Sequence, residues 1–409
     1  MAVIERLAAR APVPVVLAAG PGGARARHRL RVDERVRLVR SPRHAVVLAV
    51  SGHVADDDRA PLLQLHDQVP RPRAVVAVAV RGMPSELGHA TSVREKGLVE
   101  AVVEAGRTAL NGEADSDDIL PATNPVEWRG VGPHGQGGEG MMGGTPYGRP
   151  MPMTAEGRDG LQLDRLSLVL GPWLPGLPAG CRIRAGLQGD VLEDAEVSYP
   201  PSGPMLEGPI PVAEVEQLRA RTLLGWFADL VAMAGLEAEA VACSRVALTP
   251  SQREVTRLRR RLDRPWSLRA ATDGVGELPS DEVAGGGLGW LARSRGVDED
   301  RRRGDPAYAD LDLPAPHDRG ADVTARWRTW LDEVEVALRL AEAAGDRETD
   351  RAELPWGSAD GTPGDLAEAR ARLASRLLTG AEIGQGLLTL ASLPGAGDAD
   401  VAARREVPA

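Results

Sequence analysis

Residues 41–80 read SPRHAVVLAVSGHVADDDRAPLLQLHDQVPRPRAVVAVAV, and this stretch decides the fold of the first part of the chain. Its two strand candidates, residues 45–50 and 74–80, are apolar throughout, as is typical of strands covered on both faces. Residues 60–68 between them are a helix candidate. A strand, a helix and a second strand in this order predict two parallel strands in one sheet.

The sequence on either side of this stretch continues the same alternation. Residues 13–18 and 36–39 are two more strand candidates, and residues 93–110 are apolar at helical spacing. The turn Gly20-Pro21-Gly22-Gly23 matches neither the phosphate-binding loop nor the dinucleotide fingerprint, because their residue spacing is missing. We therefore predict a doubly wound parallel α/β sheet over residues 1–112, with an ordinary turn after its first strand.

Composition excludes several classes of protein. The chain has 409 residues, enough for two or three domains, and a formal net charge of −10, which argues against a general nucleic-acid binder. Its two cysteines, Cys181 and Cys243, cannot hold a zinc ion or an iron–sulfur centre without other chains. We expect two buried free thiols, with one disulfide as the alternative.

We also expect a chain that is soluble or peripheral on a membrane complex. No run approaches the roughly 18 apolar residues of a membrane-spanning helix. Residues 1–10 are charged and lack the apolar segment of a signal peptide.

The second block, residues 113–160, has the composition of an arm or a linker. Residues 113–118 are acidic, and residues 130–160 are rich in Gly, Pro and Met. Dense glycine lets a backbone press closely against a partner, and methionines supply adaptable apolar contacts. We predict an arm that contacts a partner protein or the two halves of this chain, the alternative being a flexible linker. The candidate interface residues are Trp128, His134, Met141, Met142, Tyr147 and Arg149.

The third block, residues 161–409, is predicted to be mainly helical after an opening β segment. Strand candidates lie at 163–169 and 181–195, joined by the turn-rich GPWLPGLPAG. The helix candidates are 212–247 with a break near Gly235, 254–262, 321–344 and 364–378. The apolar ending at 381–392 could add a strand. We therefore predict an α+β, mainly helical unit.

Two stretches of the third block carry a family resemblance. Residues 273–312 read DGVGELPSDEVAGGGLGWLARSRGVDEDRRRGDPAYADLD, and residues 161–197 read LQLDRLSLVLGPWLPGLPAGCRIRAGLQGDVLEDAEV. Their ordered series of turns resembles the large, quinone-facing subunit of respiratory complex I, which is related to the large subunits of nickel–iron hydrogenases. That family places histidines after the Gly-Pro of its opening loop. This sequence has Trp173, Leu174 and Pro175 there instead.

The first block resembles the small iron–sulfur subunit of the same assemblies. His66-Asp67-Gln68-Val69-Pro70 and Pro72-Arg73 match the ending of that family's helix, which leads into a strand and a cysteine loop. Here the loops at 20–24 and 81–84 have no cysteine. The alternative is a flavodoxin-like domain without this ancestry.

Together the resemblances imply a fusion of a small-subunit-like and an abridged large-subunit-like domain. They imply a subunit of an NADH-quinone oxidoreductase-like assembly beside antiporter-like membrane subunits, on the inner face of the cell membrane. Since the family's metal ligands are missing, we expect neither an iron–sulfur cluster nor nickel. We expect a structural and coupling role instead. A quinone-binding subunit whose metal comes from a partner, and a soluble adaptor, are the alternatives.

Overall fold

A parallel five-stranded sheet, in the order β2-β1-β3-β4-β5, forms the N-terminal part of the computed structural model. The structure describes residues 11–120, 153–156, 160–200, 206–262, 266–284, 290–297, 300–352 and 363–394. The strands are β1 (Val13–Ala19), β2 (Val36–Leu38), β3 (Val47–His53), β4 (Ala74–Arg81) and β5 (Thr91–Val93).

Helices cover both faces of this sheet, as in a doubly wound fold. On one face, α1 (Ala24–Val32) and α3 (Leu98–Leu110) bury Leu30 and Val102 against the sheet. On the other face, α2 (Asp56–Gln68) buries Leu62. Because both faces are covered, the central strands carry apolar residues at nearly every position.

The second part of the chain opens with an antiparallel sheet in the order β6-β7-β8-β9. One face of β8 and β9 packs on a helical core through Ile183, Leu192 and Val197. The strands are β6 (Met153–Glu156), β7 (Gln162–Leu170), β8 (Arg182–Gln188) and β9 (Val191–Ser198), and a separate antiparallel pair joins β10 (Leu206–Pro211) to β11 (Glu348–Ala352).

Two long helices form the centre of the helical core. Trp226 and Phe227 of α4 meet Trp330 and Trp327 of α10, with ring centroids 5.9 and 5.6 Å apart. Such aromatic pairs bury large apolar areas and fix the helix spacing. The helices are α4 (Val212–Met233), α5 (Glu237–Leu248), α6 (Gln252–Leu262), α7 (Trp266–Thr272), α8 (Ser280–Ala284), α9 (Trp290–Arg293), α10 (Val323–Ala343), α11 (Pro363–Leu378) and α12 (Ile383–Ala391).

The predicted fold class is confirmed, and so is the helix break near Gly235, which separates α4 from α5 with a φ of +82°. The strand predicted at 381–392 is wrong. Only its start pairs with β9, through the amide of Leu192 donating to the carbonyl of Ala381 at 2.9 Å. The rest forms α12, because Gly386, Thr389 and Leu390 recur at helical spacing and are all buried.

Within the described ranges, no helix has the length and hydropathy needed to cross a membrane.

Candidate functional site at the junction of the two halves

The carboxyl edge of the parallel sheet is where a doubly wound fold ordinarily binds a ligand. In a doubly wound sheet, ligands bind beyond the carboxyl ends of the strands where the strand order reverses, which here is between β1 and β3. The loop Gly20–Gly23 follows β1, and the segment from Ser51 to Val54 ends β3 and leaves it. These two segments therefore form the edge at which a cofactor would sit.

This edge is closed by hydrogen bonds between the two segments. The amide of Gly20 donates to the carbonyl of Ser51 at 2.8 Å, and the amide of His53 donates to that of Pro21 at 2.9 Å. The backbones approach so closely that a Cβ atom on Gly20 would lie 2.0 Å from the carbonyl oxygen of His53. The approach requires glycine, and it leaves no space between the segments.

The residues at this edge do not fit an iron–sulfur cluster, which needs thiolate ligands. No cysteine occurs at 20–24 or 81–84, and Cys181 and Cys243 are free thiols buried elsewhere, as predicted. Burial raises the pKa of the Cys243 thiol to about 12, which disfavours the thiolate form. The described residues also contain no cluster of three or more His, Cys, Asp or Glu side chains that could hold a metal ion.

A loop of the second half inserts Trp173 into the core of the N-terminal sheet. Trp173 lies between β7 and β8, is 7% exposed, and belongs to the apolar cluster that contains Val16 and Leu48. The connection from β2 to β3 on this side is short and carries only the 3-10 turn Pro42–His44. Trp173 therefore covers sheet surface that a crossover helix would otherwise cover. Its indole Nε1 has no hydrogen-bond partner among the described residues.

Helix α1 docks on α4 and α5 through charged groups. Arg27 and Arg31 both bind the carboxylate of Asp229, with Arg31 Nη1 at 3.0 Å from Oδ1. His28 Nδ1 lies 3.1 Å from Ser244 Oγ, and Arg31 donates to the same hydroxyl at 3.2 Å. Burial raises the pKa of Asp229, but Arg27 and Arg31 outweigh it, so the pKa lies below its usual value. The carboxylate stays charged and holds both arginines.

His28, Ser244 and Asp229 do not form a catalytic site. Burial lowers the pKa of His28 to about 3, so its ring is neutral near pH 7. The cavity beside it measures about 20 Å³, which holds a water molecule and no substrate. The close approach also excludes a ligand, since a Cβ on Gly225 would lie 2.7 Å from His28 Nε2. The cluster holds two helices together.

A second cavity at the seam, of about 70 Å³, is lined by Arg40 of the N-terminal half and by Pro175 and Met233 of the second. It is about half the size of the ~150 Å³ cavity that admits a benzene ring. On the other side, Arg182 of β8 binds Asp58 of α2 and donates to the carbonyl of Asp57 at 2.7 Å. Apart from this small cavity, the described residues on the two sides of the seam are in direct contact.

Beyond the seam, the stretch 273–312 contributes to a buried cluster of ion pairs. Arg302, 3% exposed, donates to Glu216 at 3.1 Å, to Asp300 at 2.8 Å and to Glu333 at 3.0 Å. The hydroxyl of Tyr308 donates to Glu216 at 2.9 Å. Burial raises the pKa of Asp300, but Arg302 outweighs it, and the pKa is held well below its usual value.

Sequence reasoning missed this cluster, because an Asp/Arg run such as 298–303 is ordinarily a solvated face. Glu216 gave no signal either, because Glu214 and Arg219 on the same turns of α4 are also charged. The six predicted interface residues, Trp128, His134, Met141, Met142, Tyr147 and Arg149, lie outside the described residues. The junction residues Trp173 and Asp229 were not predicted as a site.

No known family model matches this chain. A segment of 107 residues is 36% identical to the second D-type subunit of NADH-quinone oxidoreductase from Salinispora tropica, and likewise to the protein of that name from Salinispora arenicola. The match covers 25% of this chain and 28% of the length of each relative.

Among solved structures, a chain of the membrane-bound sulfane sulfur reductase, an archaeal respiratory membrane complex, aligns with a TM-score of 0.39 and 16% identity. The alignment covers 58% of this chain and 98% of that chain. A score this low carries no assignment. What is established is a local sequence similarity between this chain and the D-type subunits of NADH-quinone oxidoreductase.

Proposed function

We propose that this chain is a structural and coupling component of a membrane-associated assembly of the complex I type, and that it carries no redox centre of its own. The local similarity to the D-type subunits of NADH-quinone oxidoreductase supports the assembly. The observation that carries the proposed role is the packed seam. Trp173 is buried in the core of the other half, and at the sheet edge the two loops bond directly to each other.

In this proposal, residues 1–112 are a small-subunit-like domain, 113–160 an arm and 161–409 an abridged large-subunit-like domain, fused in one chain. The chain lies peripherally on the inner face of the cell membrane, beside antiporter-like subunits. It binds no iron–sulfur cluster and no nickel, because its sheet edge offers backbone and glycine where a cluster needs thiolates. In this role the contacts across the seam hold the two halves of the chain together.

Affinity purification tests the assembly. The tagged full chain is expressed in its native host, membranes are dissolved in a mild detergent, and the co-purifying proteins are identified by mass spectrometry. Integral membrane subunits of the antiporter type should co-purify in fixed proportion. Their absence, together with recovery of unrelated soluble proteins, would favour an adaptor and contradict the proposal.

Metal analysis of the isolated chain tests the redox part separately. Iron and nickel should each be far below one atom per chain, both as purified and after anaerobic reconstitution with iron and sulfide. A stoichiometric cluster that withstands gel filtration would contradict the absence of a redox centre. The same result would not contradict the proposed association with membrane subunits.

A second candidate is a subunit that still binds quinone while a partner supplies the metal. The indole N–H of Trp173, which has no acceptor among the described residues, favours it, because such a buried donor costs about 1–3 kcal/mol and a quinone carbonyl could accept the bond. Trp173→Phe removes this donor and keeps an aromatic ring. A quinone-dependent signal of the purified complex that is lost in Trp173→Phe would support quinone binding. An unchanged signal would show that the indole N–H of Trp173 does not bind the quinone.

A further inference from the structure

Helix α6 carries a stripe of arginines directly opposite its buried face. Val255, Leu258 and Leu262 are buried against the core. Arg253, Arg257 and Arg260 are exposed and repeat at i, i+4 and i+7, which places them on one side of the helix. These three side chains form the arginine stripe.

The arginine stripe differs in its contacts from the other arginines of the same helix. Arg259 pairs with Glu335 at 3.2 Å and also with Asp332, and Arg261 lies 3.6 Å from Glu239. Among the residues that the structure describes, none of the three guanidinium groups of the stripe makes an ion pair or hydrogen bond. The only acidic residue on α6 is Glu254, so the helix is strongly basic in a chain whose net charge is −10.

An exposed tryptophan follows the stripe in the sequence. Trp266, the first residue of α7, is 79% exposed, whereas Trp173, Trp226, Trp327 and Trp330 are at most 7% exposed. An indole is apolar with one polar N–H, and this combination is favoured at the boundary between lipid headgroups and acyl chains. An indole exposed to water does not contribute the free energy of apolar burial that it would contribute inside a core.

We propose that the arginine stripe and Trp266 form a surface that binds the anionic headgroups of a phospholipid membrane. Arginines bind phosphate oxygens through paired N–H groups, and basic residues near an anionic leaflet are attracted within about one Debye length. The apolar face of α6 is used in the core, so the contact is peripheral and electrostatic, with Trp266 as the inserting group. A lipid surface fits better than an acidic peptide because the exposed indole matches an interface. The charges and exposures of α6 and α7 carry this inference, independently of the proposed assembly.

Vesicle binding of the full chain tests it. Vesicles of equal parts phosphatidylglycerol and phosphatidylcholine are compared with pure phosphatidylcholine in a co-sedimentation assay at low salt. The chain should bind the acidic vesicles only. The triple variant Arg253→Gln/Arg257→Gln/Arg260→Gln should bind about a hundredfold more weakly, since each arginine contributes about a fivefold factor. Circular dichroism establishes that the variant is folded.

A matched variant separates a specific surface from total charge. Arg37→Gln/Arg94→Gln/Arg107→Gln removes three exposed arginines of the N-terminal half that make no described ion pair. Its vesicle affinity should stay within about twofold of the wild type, since it keeps the stripe. Brominated lipid should quench part of the tryptophan fluorescence of the wild type, and Trp266→Ala should abolish this quenching.

Three outcomes would overturn the inference. They are no binding to acidic vesicles, equal losses in the two triple variants, and capture by immobilised polyglutamate without binding to acidic vesicles. The last result would assign the stripe to an acidic protein. None of them bears on which proteins co-purify with the chain.

Discussion

At the scale of single residues, Trp173 joins the two halves most directly. Removing its indole leaves a void in the core that contains Val16 and Leu48. Trp173→Ala should therefore lower the free energy of unfolding by about 3–5 kcal/mol. Trp173→Phe should cost less, because it keeps most of the packing and removes a donor that has no described acceptor. Urea denaturation measures both, and equal losses in the two variants would contradict the packing role.

The buried ion cluster is sensitive to the loss of one partner. Arg302→Met removes the guanidinium that Glu216, Asp300 and Glu333 share, and leaves three carboxylates to share the charges of Arg219 and Arg293. The expected loss of stability is about 3–5 kcal/mol. Arg372→Met, which removes an exposed pair with Glu368 on α11, is the control and should cost less than about 1 kcal/mol. Similar values for the two variants in chemical denaturation would show that the cluster is solvated.

At the scale of elements, the approach of α1 to α4 depends on Gly225. A Cβ at this position meets the ring of His28, so Gly225→Ala should destabilise the chain by about 1–3 kcal/mol. Gly384→Ala is a matched control, because Gly384 also lies in a helix but has nothing within 4 Å of an added Cβ. There alanine should stabilise by up to about 1 kcal/mol. Thermal unfolding of the two variants should shift in opposite directions.

The same helix contact should depend on pH through His28. Its folded pKa of about 3 lies below the ordinary 6.5, because burial penalises the imidazolium. Between these pH values the unfolded chain binds a proton that the folded chain does not, so stability falls as the pH falls below 6.5. From pH 7 to pH 5 this group should cost about 2 kcal/mol. Urea unfolding at both pH values measures the loss, and His28→Gln should reduce it by that amount.

How much of the fold could be predicted differs between elements for physical reasons. Strands β1, β3 and β4 are covered on both faces, so their sequence is apolar enough to identify alone. Helix α1 was missed because ARARHRLRV is largely polar, and its burial of Arg27 and His28 depends on Asp229 and Ser244, about 200 residues away. The same holds for Arg302 and Glu216, whose pairing no local pattern reveals.

At the scale of the whole molecule, the two halves should unfold together. They share the core around Trp173 and the Asp229 ion pairs, so neither half keeps its buried surface alone. Circular dichroism and tryptophan fluorescence should report one coincident urea transition. Asp229→Asn leaves Arg27 and Arg31 without their shared carboxylate and should lower the transition midpoint or split it. Two separate transitions in the wild type would show that the halves are independent.

The interlocked loops at the sheet edge also limit how this chain can change over generations. Cβ atoms at Gly20, Gly23, Gly52 and Gly82 would lie between 2.0 and 2.7 Å from a neighbouring carbonyl oxygen. Any one replacement there must displace the opposing backbone. A single substitution therefore lowers the stability of the fold before a second substitution can compensate for it. Selection for stability alone therefore preserves all four glycines.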